Sequence, residues 1–181
     1  MTPKEYQPIL KTKLKKIYKH EEVEIEWLPM KGNRNIYSPR VDAAVGPFAL
    51  DHKFQSEYDS LMQTSRIFIE KLIKKYNENL RSFDLNIEEN LFNELKYFNQ
   101  NARCLLCIEI ENKVSRKHLI GGLVNASALG RIGILIPWTS EKLKAFINLR
   151  NYLEFLGSVG KNTFKTNNII ILTKEQLDDC F

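Results

Sequence analysis

The sequence predicts an α/β protein in which a mixed central sheet is flanked by helices. Three observations lead there. Segments of alternating or continuous apolar character, the marks of half-buried and fully buried strands, interchange with segments whose apolar residues recur every three or four positions. The later strands are separated by helical stretches, as parallel neighbours must be, whereas the earlier ones follow one another closely enough for antiparallel pairing. The composition is that of a folded chain: 181 residues, 43 % hydrophobic and 27 % charged, with only 8 Gly and 6 Pro. The length suits one domain with a sizeable core, and the composition excludes collagen-like, mucin-like and wholly disordered classes.

From Pro3 to about Lys19, Tyr6, Leu10, Leu14 and Ile17 form a helical stripe, with Lys11, Lys15 and Lys19 stacked on another side. EVEIEWLP alternates, which places Val23, Ile25 and Trp27 on one face of a strand and Glu22, Glu24 and Glu26 on the other. The turn formers of KGNRNIYSP lead into a second strand, RVDAAVGPF. Residues 51–103 read as a helical insert of two or more helices, with stripes Ile69, Ile73, Tyr76, Leu80 and Leu91, Leu95, Phe98. CLLCIEIE is the third strand. Ser115 is a candidate N-cap for the helix over SRKHLIGGLVNASAL, in which Gly121 and Gly122 imply either close packing on the sheet or a break. RIGILIPW is a strand buried on both faces, followed by a helix near Ser140 to Leu156 and a terminal strand, NNIIILT. With residues 51–103 set aside, the front of the chain reads αβββαβ, and the whole of 1–181 is expected to be one domain.

No apolar run approaches the roughly 18 residues of a membrane helix, and the N-terminus lacks a signal-peptide pattern, so a cytoplasmic protein without membrane contact is expected. Three cysteines, an odd number, argue against a disulfide framework. Cys104 and Cys107 form a CxxC, but a strand would send them to opposite faces, which disfavours zinc or redox chemistry. The net charge of +5 is unevenly spread: nine basic and six acidic residues in 1–50, eight and nine in 51–103, ten and seven in 104–181. Basic flanks are compatible with a polyanionic partner. The lysines of the first helix, taken alone, fit a solvated face better than a phosphate-binding stripe.

Glu109 and Glu111 share one face of the third strand, and Lys113 continues it if the strand extends. Adjacent carboxylates at the end of an apolar strand raise each other's pKa unless a cation is present, so the pair is a divalent-metal candidate. Asp42 is the one acid in its apolar strand and needs a partner. A purely structural alternative pairs Asp42 with Arg40 or Lys113 and leaves the glutamates solvated.

An acid on strand two and an acid pair on strand three, set in αβββαβ order, resemble the PD-(D/E)XK nuclease superfamily, which has the restriction-endonuclease-like fold. Its first motif matches SPRVDAAVG at Asp42 and its second matches IEIENK at Glu109 and Glu111. The resemblance covers about residues 5–137 apart from the insert. Pro39 stands three residues before Asp42, and Glu111 occupies the family's usual Lys position, a Glu-x-Glu variant. The resemblance implies a metal-dependent endonuclease acting on DNA, of restriction or phage-defence type. Asp42, Glu109 and the Ile110 carbonyl would hold Mg²⁺, for which Mn²⁺ can substitute. Glu111 would be a further metal ligand or general base, and Lys113 would stabilise the phosphate. Lys11, Lys15, Lys19, Arg116, Lys117, His118 and Asn125 would face nucleic acid, Asn125 as the polar residue the family often places near the site. Glu5, Glu21 and Glu22 are candidates for an additional acid that some relatives carry near the first helix. The alternative is a noncatalytic nucleic-acid-binding or assembly module on the same fold, and the apolar stripes of the insert suggest a homodimer surface.

Overall fold

The computed structural model describes residues 1–30, 32, 35–83, 91–112, 115–161 and 165–181, the side chains of Arg116 and Lys117 excepted. Five strands form one mixed sheet in the order in which they occur along the chain: β1 (Val23–Trp27), β2 (Val41–Val45), β3 (Cys104–Glu111), β4 (Gly130–Pro137) and β5 (Ile169–Ile171). β1 pairs antiparallel with β2, and β2 with β3; β3 and β4, then β4 and β5, are parallel. Each parallel step is made by a helix, α5 (Arg116–Leu129) between β3 and β4 and α6 (Ser140–Ser158) between β4 and β5, as parallel pairing requires. The expected mixed sheet flanked by helices is what the chain forms.

α1 (Pro3–Ile17) starts with a capping box in which Glu5 N donates to Thr2 Oγ1 at 3.3 Å and Thr2 N to Glu5 Oε2 at 2.7 Å. Glu5 is therefore spent on the helix end. The helix packs Tyr6, Leu10 and Leu14 against the sheet beside β1 and β2. It ends before Lys19, so only Lys11 and Lys15 of the expected lysine stripe lie on it.

The insert consists of α2 (Gln55–Thr64), α3 (Arg66–Ser82) and α4 (Phe92–Phe98). Ile69, Ile73, Tyr76 and Leu80 are all buried in the core, so the stripe expected to offer a dimer surface is already covered by the chain itself. In α4 the buried positions are Phe92 and Leu95; Leu91, expected on that stripe, precedes the first turn and is exposed. Arg131 of β4 ties the insert to the sheet: it is buried, its Nη1 donates to Asn99 O at 3.0 Å, and its Nη2 pairs with Asp59. A guanidinium taken out of water needs such partners.

β4 is buried along its whole length, as its continuous apolar run implies. Gly133 within it is required sterically, because a Cβ there would lie 2.5 Å from Ile169 Cδ1 and 2.7 Å from Ala126 O. The glycines of α5 differ. The helix runs unbroken through both, Gly121 has open space around it, and Gly122 lies over Glu109, whose Cβ would be 3.8 Å from an added Cβ. Ser115 occupies the N-cap position of α5 without a side-chain cap bond. The two CxxC thiols are not segregated as the strand period suggests: both lie under the end of α5, Cys104 Sγ 3.6 Å from Leu129 O and Cys107 Sγ 3.8 Å from Asn125 O. Cys104 opens the strand, where the pleat does not yet fix the side chain's direction.

A short C-terminal helix, α7 (Lys174–Asp178), follows β5 without having been expected from the sequence. It has its own capping box, Thr173 with Gln176, and it returns to α1: Asp178 accepts from Tyr6 Oη at 2.6 Å and Lys13 Nζ at 2.7 Å. Among the described residues, no helix is long and apolar enough to cross a membrane.

Candidate active site

Ala43 of β2 faces Ile108 of β3, so one step further along this antiparallel pair brings Asp42 beside Glu109. The sheet thus joins acids 67 positions apart in the chain. Asp42 Oδ2 accepts from Ile110 N at 2.7 Å, and its Oδ1 accepts from Gln7 Nε2 at 2.7 Å. Glu109, only 9 % exposed, accepts from Asn125 Nδ2 of α5 at 3.1 Å through Oε1. Every one of these donors is neutral. They orient the carboxylates without cancelling their charge.

The protonation equilibria record that deficit. Burial, and then the charge of Asp42, push the Glu109 carboxyl up to about 8 from its ordinary 4.5, against the pull of the Asn125 amide. Asp42 is also raised by burial, with the Ile110 N–H and Gln7 opposing the rise and the charge of Glu26 adding to it. The two acids titrate as a pair. The Cys107 thiol below them is held up by burial and by its neighbour Cys104, which makes it an inert packing group.

Gln7 and Glu26 complete the site, and neither stands out in the sequence as a candidate. Gln7 is 4 % exposed and spends its one amide nitrogen on two carboxylates, Asp42 at 2.7 Å and Glu26 Oε1 at 3.0 Å. A signal for it exists: positions 7, 10 and 14 follow the buried helical spacing, so a polar side chain stands in an otherwise apolar stripe. Glu26 has φ of 53°, the one non-glycine residue with positive φ among those described. A left-handed backbone costs an L-residue about 1–2 kcal/mol. Its Oε2 pairs with Arg40 Nε at 2.9 Å, in an exposed ion pair worth about 0–1 kcal/mol. The hydrogen bond from the buried Gln7 amide to Oε1 adds to that return. Arg40, the structural alternative for Asp42, is thereby shown to partner Glu26 instead. Glu21 and Glu22, the other candidates for an additional acid, lie before β1, where the Glu22 carbonyl accepts from Gly46 N at 2.9 Å.

The remaining expected residues fall into three groups. Asn125 is in the site, bonded to Glu109. Glu111 closes β3 opposite Pro137, half-buried, its carbonyl accepting from Trp138 N at 3.0 Å. Ile110 contributes its N–H to Asp42. Lys11 follows Gln7 by one helical turn and Lys15 by two, so both continue the side of α1 that meets Asp42; Lys15 is exposed and Lys11 half-buried. Lys19 is exposed beyond the helix end, and His118 is on the first turn of α5. Lys113 and the side chains of Arg116 and Lys117 lie outside the described residues. One further cation stands near the end of β3: Lys142 of α6 is buried and donates from Nζ to Asn112 Oδ1 at 3.1 Å.

Among the described residues, no three His, Cys, Asp or Glu side chains converge to hold a metal by themselves. The Asp42–Glu109 pair nevertheless fits Mg²⁺. Its donors are hard oxygens, set side by side on adjacent strands with Glu109 buried, and Mg²⁺ is commonly held by one or two carboxylates with water and substrate phosphate filling the other positions. No family model matches the chain, and no curated protein and no solved structure matches it either.

Proposed function

We propose that the chain is a metal-dependent endonuclease that hydrolyses DNA phosphodiester bonds, a cytoplasmic enzyme of restriction or phage-defence type. The observation that carries this reading is the buried Asp42–Glu109 pair on adjacent strands, held among the described residues by neutral donors. It agrees with the resemblance of SPRVDAAVG and IEIENK to the PD-(D/E)XK motifs.

In this mechanism Asp42 and Glu109 would hold Mg²⁺ or Mn²⁺ as ionised carboxylates. Such an ion would supply Lewis-acid polarisation of the phosphate and lower the pKa of water at the site. Gln7, the Ile110 N–H and Asn125 hold the two carboxylates in place throughout. Glu111 accepts the proton of the attacking water or adds a ligand, Lys113 stabilises the charge that develops on the phosphate, and Lys11 and Lys15 attract the DNA backbone towards the site. Water adds to phosphorus in line, the bond to the departing sugar oxygen breaks with its electron pair going to that oxygen, and the oxygen takes a proton from solvent.

The test is incubation of plasmid, linear and branched duplex DNA with the protein in Mg²⁺, Mn²⁺ or chelator. Cleavage is expected with either metal and none with chelator, and folded Asp42→Ala and Glu109→Ala variants are expected to show no cleavage. Full activity of folded Asp42→Ala sinks the assignment. A second reading, a noncatalytic nucleic-acid-binding module, is favoured by Glu111 standing where the family has Lys. Tight duplex binding without cleavage in either metal would select it.

A further inference from the structure

Glu26 joins two things that the site otherwise keeps apart. One carboxylate oxygen takes the Gln7 amide that also holds Asp42; the other takes Arg40 Nε at 2.9 Å. Arg40 is thus one carboxylate and one amide away from Asp42, with a side chain that is 69 % exposed. Among the described residues, only its Nε is engaged. The Nη groups therefore present a fork of N–H donors to solvent at the rim of the acid pair.

A guanidinium fork matches a phosphate's oxygens in two parallel bonds, which an ammonium does not. The backbone points the same way. Glu26 holds a left-handed φ of 53° within a strand, and in that position one oxygen meets the buried Gln7 amide at 3.0 Å while the other meets the exposed Arg40. Residues held in sparsely populated backbone regions cluster at functional positions.

We propose that Arg40 is a phosphate-binding residue of the site, and that Glu26 is the positioning residue that aims it. The partner is a phosphodiester backbone whose phosphate next to the scissile one sits against the Arg40 fork while Asp42 serves the reacting centre. The proposal rests on the nuclease reading for the identity of that centre, though not for the phosphate contact itself.

The experiment is fluorescence anisotropy of a labelled DNA duplex with the full chain in chelator across a salt series, with cleavage in Mg²⁺ assayed on the same preparations. Arg40→Ala is expected to bind about tenfold more weakly, the scale of a charge-assisted contact, and to flatten the slope of log K against log salt by about 0.9. Arg40→Lys is expected to keep the slope and lose part of the affinity, because a point charge replaces a fork. In a Glu26→Gly background, where glycine adopts the same φ without strain, Arg40→Ala is expected to have a smaller effect than in the native chain, the mark of coupled residues. Arg40→Ala with native affinity and slope overturns the proposal, as does native protein that binds no duplex. Arg40-dependent binding with no cleavage by the native protein supports the contact while refuting the nuclease.

Discussion

Helix α1 touches two carboxylate sites, and they are built on opposite principles. At one, Asp178 receives Tyr6 Oη at 2.6 Å, Lys13 Nζ at 2.7 Å and Lys174 Nζ at 3.2 Å. Partial burial works against its charge, but Lys13, Tyr6 and Lys174 outweigh it, and the carboxyl is held below the ordinary range. At the other, Gln7, one residue after Tyr6, meets Asp42, and the Asp42–Glu109 pair has hydrogen bonds from Gln7, Ile110 and Asn125 but, among the described residues, none from a cation. Both sites satisfy their hydrogen-bonding needs. Only the first satisfies its charge. The difference separates a clamp that closes the chain's two ends from a site that is complete only with a positive ion.

The largest expected contrast lies between Asp178→Ala and Asp42→Ala. Asp178→Ala leaves two lysines and a tyrosine without their acceptor and is expected to lower stability by about 1–3 kcal/mol in chemical denaturation, with DNA cleavage unchanged in the folded protein. Asp42→Ala is expected to abolish cleavage with a smaller loss of stability, because relief of the repulsion on Glu109 offsets part of the cost of leaving Gln7 and the Ile110 N–H without that acceptor. If both variants lose the same stability, the distinction collapses.

The pH dependence of stability sharpens the comparison, because the two sites contribute with opposite sign. The folded state holds a proton on Glu109 up to about 8 whereas the unfolded chain releases it near 4.5. This group's contribution to stability therefore falls as pH rises from about 4.5 to about 8. Asp178, lowered by folding from 3.8, stabilises above that value and loses its contribution as pH falls through its folded value. Glu109→Gln is expected to shrink the decline between pH 4.5 and 8, leaving the part that the raised Asp42 carboxyl contributes, and to leave the acid limb intact. Thermal unfolding across pH for the two proteins reads this directly.

Two smaller effects concern the rim. Glu111→Ala is expected to reduce cleavage and Glu111→Lys to keep part of it; unchanged cleavage in Glu111→Ala would remove this residue from the site. Lys11→Ala and Lys15→Ala are each expected to flatten the salt dependence of duplex binding by about 0.9 in log–log slope. No change in either variant would make the α1 lysines a solvated face.

The strands were legible because apolar alternation and unbroken apolar runs arise where a chain lies half-buried or fully buried in a sheet. For the same reason Asp42 and Glu109 stood out as acids inside them. Gln7 did not stand out, although it continues the buried stripe of Leu10 and Leu14, because a single polar residue in a helical stripe draws less notice than an acid in an apolar strand. Other features depend on tertiary context. Nothing local signals that Glu26 adopts a left-handed backbone or that Arg40 turns to Glu26 rather than to Asp42. α7 is five residues long, too short to show a periodicity, and its stability comes from its cap and its ties to α1. Leu91 failed as a core residue because α4 begins one position later and buries Phe92 instead.

The most direct test of the uncompensated pair is divalent-cation binding, measured as the rise in thermal midpoint on adding Mg²⁺ or Mn²⁺ near pH 8. The native protein and Asp178→Asn are expected to gain stability with increasing metal, as ligand binding to the folded state requires, while Glu109→Gln gains none. An equal rise in Glu109→Gln, or no rise in the native protein, would contradict the claim that Asp42 and Glu109 are built to receive a cation.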